Sequence, residues 1–173
     1  MKQKRSFFTS FLIGFVILVG LDQWTKGLAV KHLMNQPPFV IWDGVFELLY
    51  SENRGAAFGM MQGKQVFFFL IALVVLAAVV YLLWKMPVTE RYMPMAVCLM
   101  MVSAGAVGNM IDRIGQGYVV DFLYFKLINF PIFNVADCYV TISAFLLILL
   151  VFFYYREEEM ACFSLHKKEE KSE

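Results

Sequence analysis

Val66-Phe-Phe-Phe-Leu-Ile-Ala-Leu-Val-Val-Leu-Ala-Ala-Val-Val-Tyr-Leu-Leu-Trp84 runs without one charged side chain. As an α-helix at 1.5 Å per residue it spans roughly 28 Å, close to the ~30 Å hydrocarbon layer of a bilayer. A soluble amphipathic helix would keep one polar face, and this stretch has none. Outward from it, three more apolar runs reach spanning length, at about Phe7–Lys26, Met93–Ile111 and Ala136–Tyr155. The connection Lys85-Met-Pro-Val-Thr-Glu-Arg91 is short, polar and broken by proline, so the helices on either side are antiparallel neighbours. With 60% hydrophobic and only 17% charged residues, the chain lies outside the range of soluble domains. Its formal net charge of +1 offers no field for nucleic acid, so no nucleic-acid partner is expected. The expected fold is an all-α membrane protein, a single domain over residues 1–173. It has four transmembrane helices and a small β-sheet and loop region on the extracytoplasmic face.

If the four helices alternate, Lys2, Lys4, Arg5, Lys85, Arg91, Arg156, Lys167, Lys168 and Lys171 fall on one side. An excess of Lys and Arg in short loops marks the cytoplasm, which puts both termini there. The apolar part of the first run is too long for a cleaved signal peptide and no small-residue cleavage site follows it. The tail 156–173 alternates acid and base and reads as a solvated helix end. Cys98, Cys138 and Cys162 lie in or beside different apolar runs without metal-ligand spacing, and read as packing thiols; no metal and no cofactor are expected. The opposite side carries two longer connections, about 27–65 and 112–135. In the first, Phe39-Val-Ile-Trp-Asp-Gly-Val-Phe-Glu-Leu-Leu-Tyr50 is rich in β-formers around an Asp43-Gly44 turn, which predicts a small sheet at the membrane surface.

Ionisable groups in or beside a span cost on the order of 2.5–3.5 kcal/mol at a helix centre, so four carboxylates call for a reason. Asp22 and Lys26 are four apart and can pair on one helical face, as a snorkelling ion pair that sets helix depth. Asp112 is followed by Arg113 and reads as locally compensated. Asp137 opens an apolar helix after Asn134 and suits a first-turn acid favoured by the helix dipole. Asp121, within Tyr118-Val-Val-Asp-Phe-Leu-Tyr-Phe125, has no cap, turn or neighbouring base to account for it. Should Asp121 and Asp137 converge, one protonated and one ionised, they have the composition for aspartic proteolysis. Spacing alone leaves a proton relay or ion pathway open. Transport sites, however, usually lie near the midplane between repeats, and this chain has acids at one surface and no internal repeat. A non-catalytic scaffold leaves Asp121 unexplained.

The ordered set Gly105-Ala-Val-Gly-Asn-Met-Ile-Asp-Arg113, Val119-Val-Asp-Phe122 and Phe130-Pro-Ile-Phe-Asn-Val-Ala-Asp137 closely resembles the lipoprotein signal peptidase, or signal peptidase II, family. Asp22-Gln-Trp-Thr-Lys26 and Asn53-Arg-Gly-Ala-Ala-Phe58 extend the resemblance over nearly the whole chain, up to about Arg156. It implies a metal-free aspartic endopeptidase of the bacterial cytoplasmic membrane, active at the extracytoplasmic face. Such an enzyme removes the signal peptide of diacylglyceryl-modified prolipoproteins by cutting just before the lipid-bearing cysteine. On this resemblance Asp121 and Asp137 are the catalytic acids, and Asn53, Asn109, Asp112, Arg113 and Asn134, with Asp22 and Lys26, support the dyad and the substrate. It also implies lipidated prolipoproteins and membrane lipids as partners, a monomer, and inhibition by globomycin-type peptides. By spacing, Asn109 and Arg113 share a helical face, and the Arg113 guanidinium either anchors Asp112 or contacts the substrate backbone.

Overall fold

The first helix does not stop at Lys26. The computed structural model, which describes residues 2–55 and 65–163 with side chains from residue 4 onward, continues α1 from Lys2 to Leu33. Leu28-Ala-Val-Lys-His-Leu33 contains no breaker, and the helix ends only where Asn35 takes a left-handed φ of 59° ahead of Pro37-Pro38. At 32 residues α1 is about 48 Å long, so its last turns stand clear of a hydrocarbon layer of about 30 Å. The other spans are α2 (Gln65–Lys85), α3 (Met93–Gln116) and α4 (Val135–Leu149), the last continued by a π-helical turn at Leu150–Tyr154. Four helices are thus long and apolar enough to cross a membrane, and the chain is a multi-pass membrane protein. α3 likewise outruns its expected end at Ile111. It closes at Gly117, whose φ of +78° lets its N–H bond Arg113 O at 3.1 Å, a conformation that costs a side-chain-bearing residue about 1 kcal/mol or more.

A three-stranded antiparallel sheet caps one end of the bundle in the order β1 (Phe39–Trp42), β2 (Phe46–Asn53) and β3 (Val119–Phe125). Asp43-Gly44 makes the expected turn: Val45 N–H bonds Trp42 O at 2.9 Å, with Gly44 at φ +70°. β3 is a strand where the sequence reading had only a loop. Its run of β-branched and aromatic residues pairs with β2, Ser51 opposite Asp121 and Asn53 opposite Val119. Alternation along β3 sends Val120 and Phe122 to pack with Ala29 of α1, and turns Asp121 the other way.

α3 lies at the centre of the bundle and carries the buried side chains Met95, Cys98, Leu99, Ser103 and Ala104. Small residues bring its neighbours close. A Cβ on Gly105 would stand 2.5 Å from Ala136 O and 2.6 Å from Val140 Cγ2 of α4, so any side chain there forces the two helices apart. Gly105→Ala is therefore expected to cost about 1–3 kcal/mol, the usual range for overpacking, read as a lower melting temperature of the purified protein. An unchanged melting temperature would mean that α3 and α4 are not packed this closely.

The segment after the last span is not a free, solvated helix end. α5 (Glu157–Met160) folds back on the α2–α3 connection: Arg91 holds Glu159 through Nε at 2.8 Å and Nη2 at 3.1 Å, and Tyr92 Oη donates to Glu159 O at 2.8 Å. The Arg91 guanidinium lowers the Glu159 carboxyl to about 2, and Phe163 packs edge-on against Tyr92. Residues 164–173, with Lys167, Lys168 and Lys171, lie outside the described residues, as does Ala56-Ala-Phe58 of the first connection. Cys98 is buried as expected, but Cys138 and Cys162 are only half-buried.

Candidate active site

Asn134 is the N-cap of α4, a role its short amide fits because it accepts the otherwise unpaired N–H of Asp137 at 3.0 Å. Asp137 completes the capping box by accepting Asn134 N–H on Oδ2 at 3.1 Å. Because the Asn134 carbonyl is committed to that cap, its NH₂ must point away from it. It donates to Asp121 Oδ1 at 2.6 Å and to Asn109 Oδ1 at 3.1 Å. One asparagine therefore ties together Asp121 on β3 and Asp137 on α4. The second oxygen of Asp121 accepts from Asn53 Nδ2 at 2.8 Å, a diagonal contact across the β2–β3 ladder that follows from Asn53 sitting opposite Val119. Asn53 is locked in its turn, since its Oδ1 accepts Gly55 N–H at 2.9 Å.

Asn109 is oriented from below. Its Oδ1 accepts from Lys26 Nζ at 3.0 Å, and an ammonium can only donate, so the Asn109 NH₂ faces Asp137 Oδ1, at 2.7 Å. Lys26 spends its other two protons on Asp22 at 2.9 Å and Asp112 at 3.0 Å. This corrects the surface reading of the Asp22–Lys26 pair: the side chains are 0% and 3% exposed and no ammonium snorkels to water. Asp112 is also not neutralised by Arg113. Adjacent residues on a helix point about 100° apart, and Asp112 turns inward to Lys26 and to Val120 N–H at 3.1 Å. Gln23, which the sequence reading did not single out, bridges Asp112 Oδ1 at 2.9 Å, Asp22 Oδ2 at 3.1 Å and Gly108 O at 3.1 Å. Its spacing of three from Lys26, on the same face of α1, was the available sign. Asp22 also accepts Ala136 N–H at 2.9 Å, joining α1 to the first turn of α4. Gly108 leaves no room for a side chain beside this carboxylate.

Asp137 opens on a cavity of about 510 Å³ that Asn53, Gly55, Arg113, Cys138 and the Phe130–Phe133 segment also bound. The Arg113 guanidinium lies 4.6 Å from the centre of the Phe68 ring and donates from Nη2 to Gly55 O at 3.3 Å. Its buried Nε has no acceptor among the described residues. Asp121 is 2% exposed, and burial pushes its carboxyl up to about 7; the charge of Asp137 adds to the rise, while the amides of Asn53 and Asn134 and the Lys26 ammonium oppose it. All nine residues expected at the site thus form one hydrogen-bonded assembly or line its cavity. Among the described residues, no group of three or more His, Cys, Asp and Glu is placed to hold a metal ion.

Comparison with known proteins bears on the same residues. A sequence model of the family Signal peptidase (SPase) II matches residues 14–153, a stretch that includes every residue of this assembly. The lipoprotein signal peptidase of Caldanaerobacter subterraneus subsp. tengcongensis is 44% identical over 137 residues, 79% of this chain and 90% of its own length. That of Bacillus pumilus is 41% identical over 139 residues (79% and 88%), and that of Streptococcus thermophilus 37% over 135 (78% and 87%). Two solved structures of a bacterial membrane enzyme, obtained by the in meso method, superpose with TM-scores of 0.72 and 0.71 at 32% identity. They cover 85% and 83% of this chain, and 95% and 87% of theirs. With the family match running through all four spans and the relatives covered nearly end to end, the chain belongs to the signal peptidase II family of membrane peptidases.

Proposed function

We propose that this protein removes the signal peptide of diacylglyceryl-modified prolipoproteins as an aspartic endopeptidase, cutting just before the lipidated cysteine, with Asp121 and Asp137 as its catalytic acids. The observation that carries this reading is the bridge Asp121–Asn134–Asn109–Asp137, in which a carboxylate of β3 and one of α4 are held by locked amide donors, with Asp137 at the edge of a cavity. Proton accounting supports it. Around the dyad stand two cations, Lys26 and Arg113, and two further carboxylates, Asp22 and Asp112. A single proton shared by Asp121 and Asp137 lowers the net charge of the group from −2 to −1, in surroundings where charge is costly.

In the proposed reaction the ionised member takes a proton from water as it attacks the scissile carbonyl, and the protonated member donates to the carbonyl oxygen; the proton then passes to the leaving amide nitrogen. Arg113, which borders the cavity beside Asp137, holds the substrate backbone through its guanidinium. Asn53, Asn109 and Asn134 position the acids. Asp22, Lys26 and Asp112 form the charged floor that orients Asn109. The substrate's lipid tails stay in the bilayer while the peptide enters the cavity at interface depth. The basic residues of the opposite ends and short loops put both termini in the cytoplasm and the site on the extracytoplasmic face.

The test is purified full-length protein acting on a lipidated prolipoprotein, with product masses locating the bond and a metal chelator in a parallel reaction. Cleavage next to the lipidated cysteine, undiminished by the chelator, is expected; cleavage elsewhere or lost to the chelator would overturn the reading. The pH profile offers a second check. A raised carboxyl keeps its proton up to its folded value, so Asp121 is protonated below about 7 and loses the proton above it. kcat/KM is then expected to fall about tenfold per pH unit beyond that point. The folded chain holds this proton at a pH where the unfolded chain, near 4, has released it. The same group therefore withdraws stability as pH rises from about 4 to about 7. A profile flat to pH 9 would remove Asp121 from the proton transfer.

A further inference from the structure

A second and larger cavity, of about 990 Å³, lies between the projecting end of α1 and the β1–β2 hairpin, and shares no residue with the cavity beside Asp137. Its floor is apolar, made by Leu28, Ala29, Phe39, Leu48 and Phe122. At its rim stand the donors Lys31, His32 and Gln36, and among the described residues no Asp or Glu borders it. Among the described residues Lys31, an exposed side chain, has no carboxylate within 4 Å, whereas the buried Lys26 and the exposed Lys126 are both paired. Depth along α1 is informative too. From Lys4 to Lys31 the helix rises about 40 Å, which carries Lys31 past a hydrocarbon layer of about 30 Å and into the headgroup zone of the far interface. Beside the cavity, β1 presents Phe39, Val40, Ile41 and Trp42 all exposed, as strands do that face lipid at that level.

An occupant must be amphipathic, anionic at the rim and apolar beneath it. We propose that this cavity binds one anionic phospholipid, its phosphate held by Lys31, His32 and Gln36 and an acyl chain lying along Leu28, Ala29, Phe39, Leu48 and Phe122. A zwitterionic lipid would bring a choline cation to the same basic rim and gain less. The seated lipid would touch Phe122, next in sequence to Asp121, and brace the turn of α1 that carries Lys26, so the site is placed to steady the neighbouring assembly from behind.

The test measures bound lipid and is independent of any peptidase activity. Native mass spectrometry of the detergent-purified chain, titrated with phosphatidylglycerol or phosphatidylcholine, is expected to show one phosphatidylglycerol retained with at least tenfold preference. The double variant Lys31→Ala, His32→Ala changes only exposed side chains and should erase the preference. Leu28→Trp, which fills the floor and leaves Lys31 and His32 in place, should lose the lipid itself. Inorganic phosphate in large excess should not displace it. Equal retention of the two lipids by the unaltered chain overturns the proposal whatever the variants do. Unchanged preference in the double variant, or displacement by inorganic phosphate, which would indicate a site for the ion alone, overturns it as well.

Discussion

Asp121→Asn and Asp137→Asn are each expected to reduce cleavage by roughly 10³–10⁴-fold or more while the chain still binds its substrate. General acid–base transfer by a positioned group contributes about 10²–10⁴-fold, and in a two-acid mechanism the loss of either member removes both the base and its complementary acid. The substitution is isosteric, yet the surroundings make it more than a charge deletion. Both oxygens of Asp121 accept from amide NH₂ groups, those of Asn53 and Asn134, and both donors are locked by their own carbonyls, one on Gly55 N–H and the other on Asp137 N–H. An asparagine at 121 sets its own NH₂ against one of them and strands a buried donor, at a cost of about 1–3 kcal/mol. Position 137 meets the same conflict with Asn109, whose orientation Lys26 and Asn134 fix together. Each variant should therefore melt somewhat lower than the unaltered chain. The decisive comparison is substrate capture against turnover, measured together on the lipidated precursor. Residual cleavage within tenfold of the unaltered chain in either variant would sink the dyad.

The second large effect concerns Lys26. Its ammonium is 3% exposed and makes three contacts of 2.9 to 3.0 Å, to Asp22, Asp112 and Asn109. Lys26→Met keeps the volume and removes the charge, leaving two carboxylates facing each other without a counterion. Breaking a buried pair from one side typically costs about 3–5 kcal/mol. A large drop in melting temperature is expected, together with a loss of activity, because Asn109 keeps only the Asn134 NH₂ to hold the orientation that presents its own NH₂ to Asp137. Adding Asp22→Asn and Asp112→Asn to Lys26→Met should recover much of the stability, since it is the uncompensated charge that is costly. It should not recover activity. If Lys26→Met melts with the unaltered chain, the ammonium is not the hub these distances describe.

The four spans, the short proline-broken link between the second and third, and the Asp43-Gly44 turn were all legible in the chain, because each rests on local chemistry: run length against bilayer thickness, a missing N–H, a tolerance for positive φ. The carboxylates of the site could also be picked out one by one, since an ionisable group beside a span is costly enough to stand out; Asn53, Asn109 and Asn134 came only from the family resemblance. Their partners could not. Spacing assigned Lys26 to a surface pair and Asp112 to Arg113, whereas helix packing buried Lys26 between two carboxylates of different helices. The third strand was hidden for the same reason: Val119–Phe125 has the composition of a strand but acquires a ladder only because the first connection returns β2 alongside it. Composition and periodicity belong to residues a few positions apart. The meeting of Asp121 with Asn134 and of Asn109 with Asp137 depends on the close approach of α3 and α4 at Gly105 and on the register of β2 against β3, and only the tertiary structure decides those.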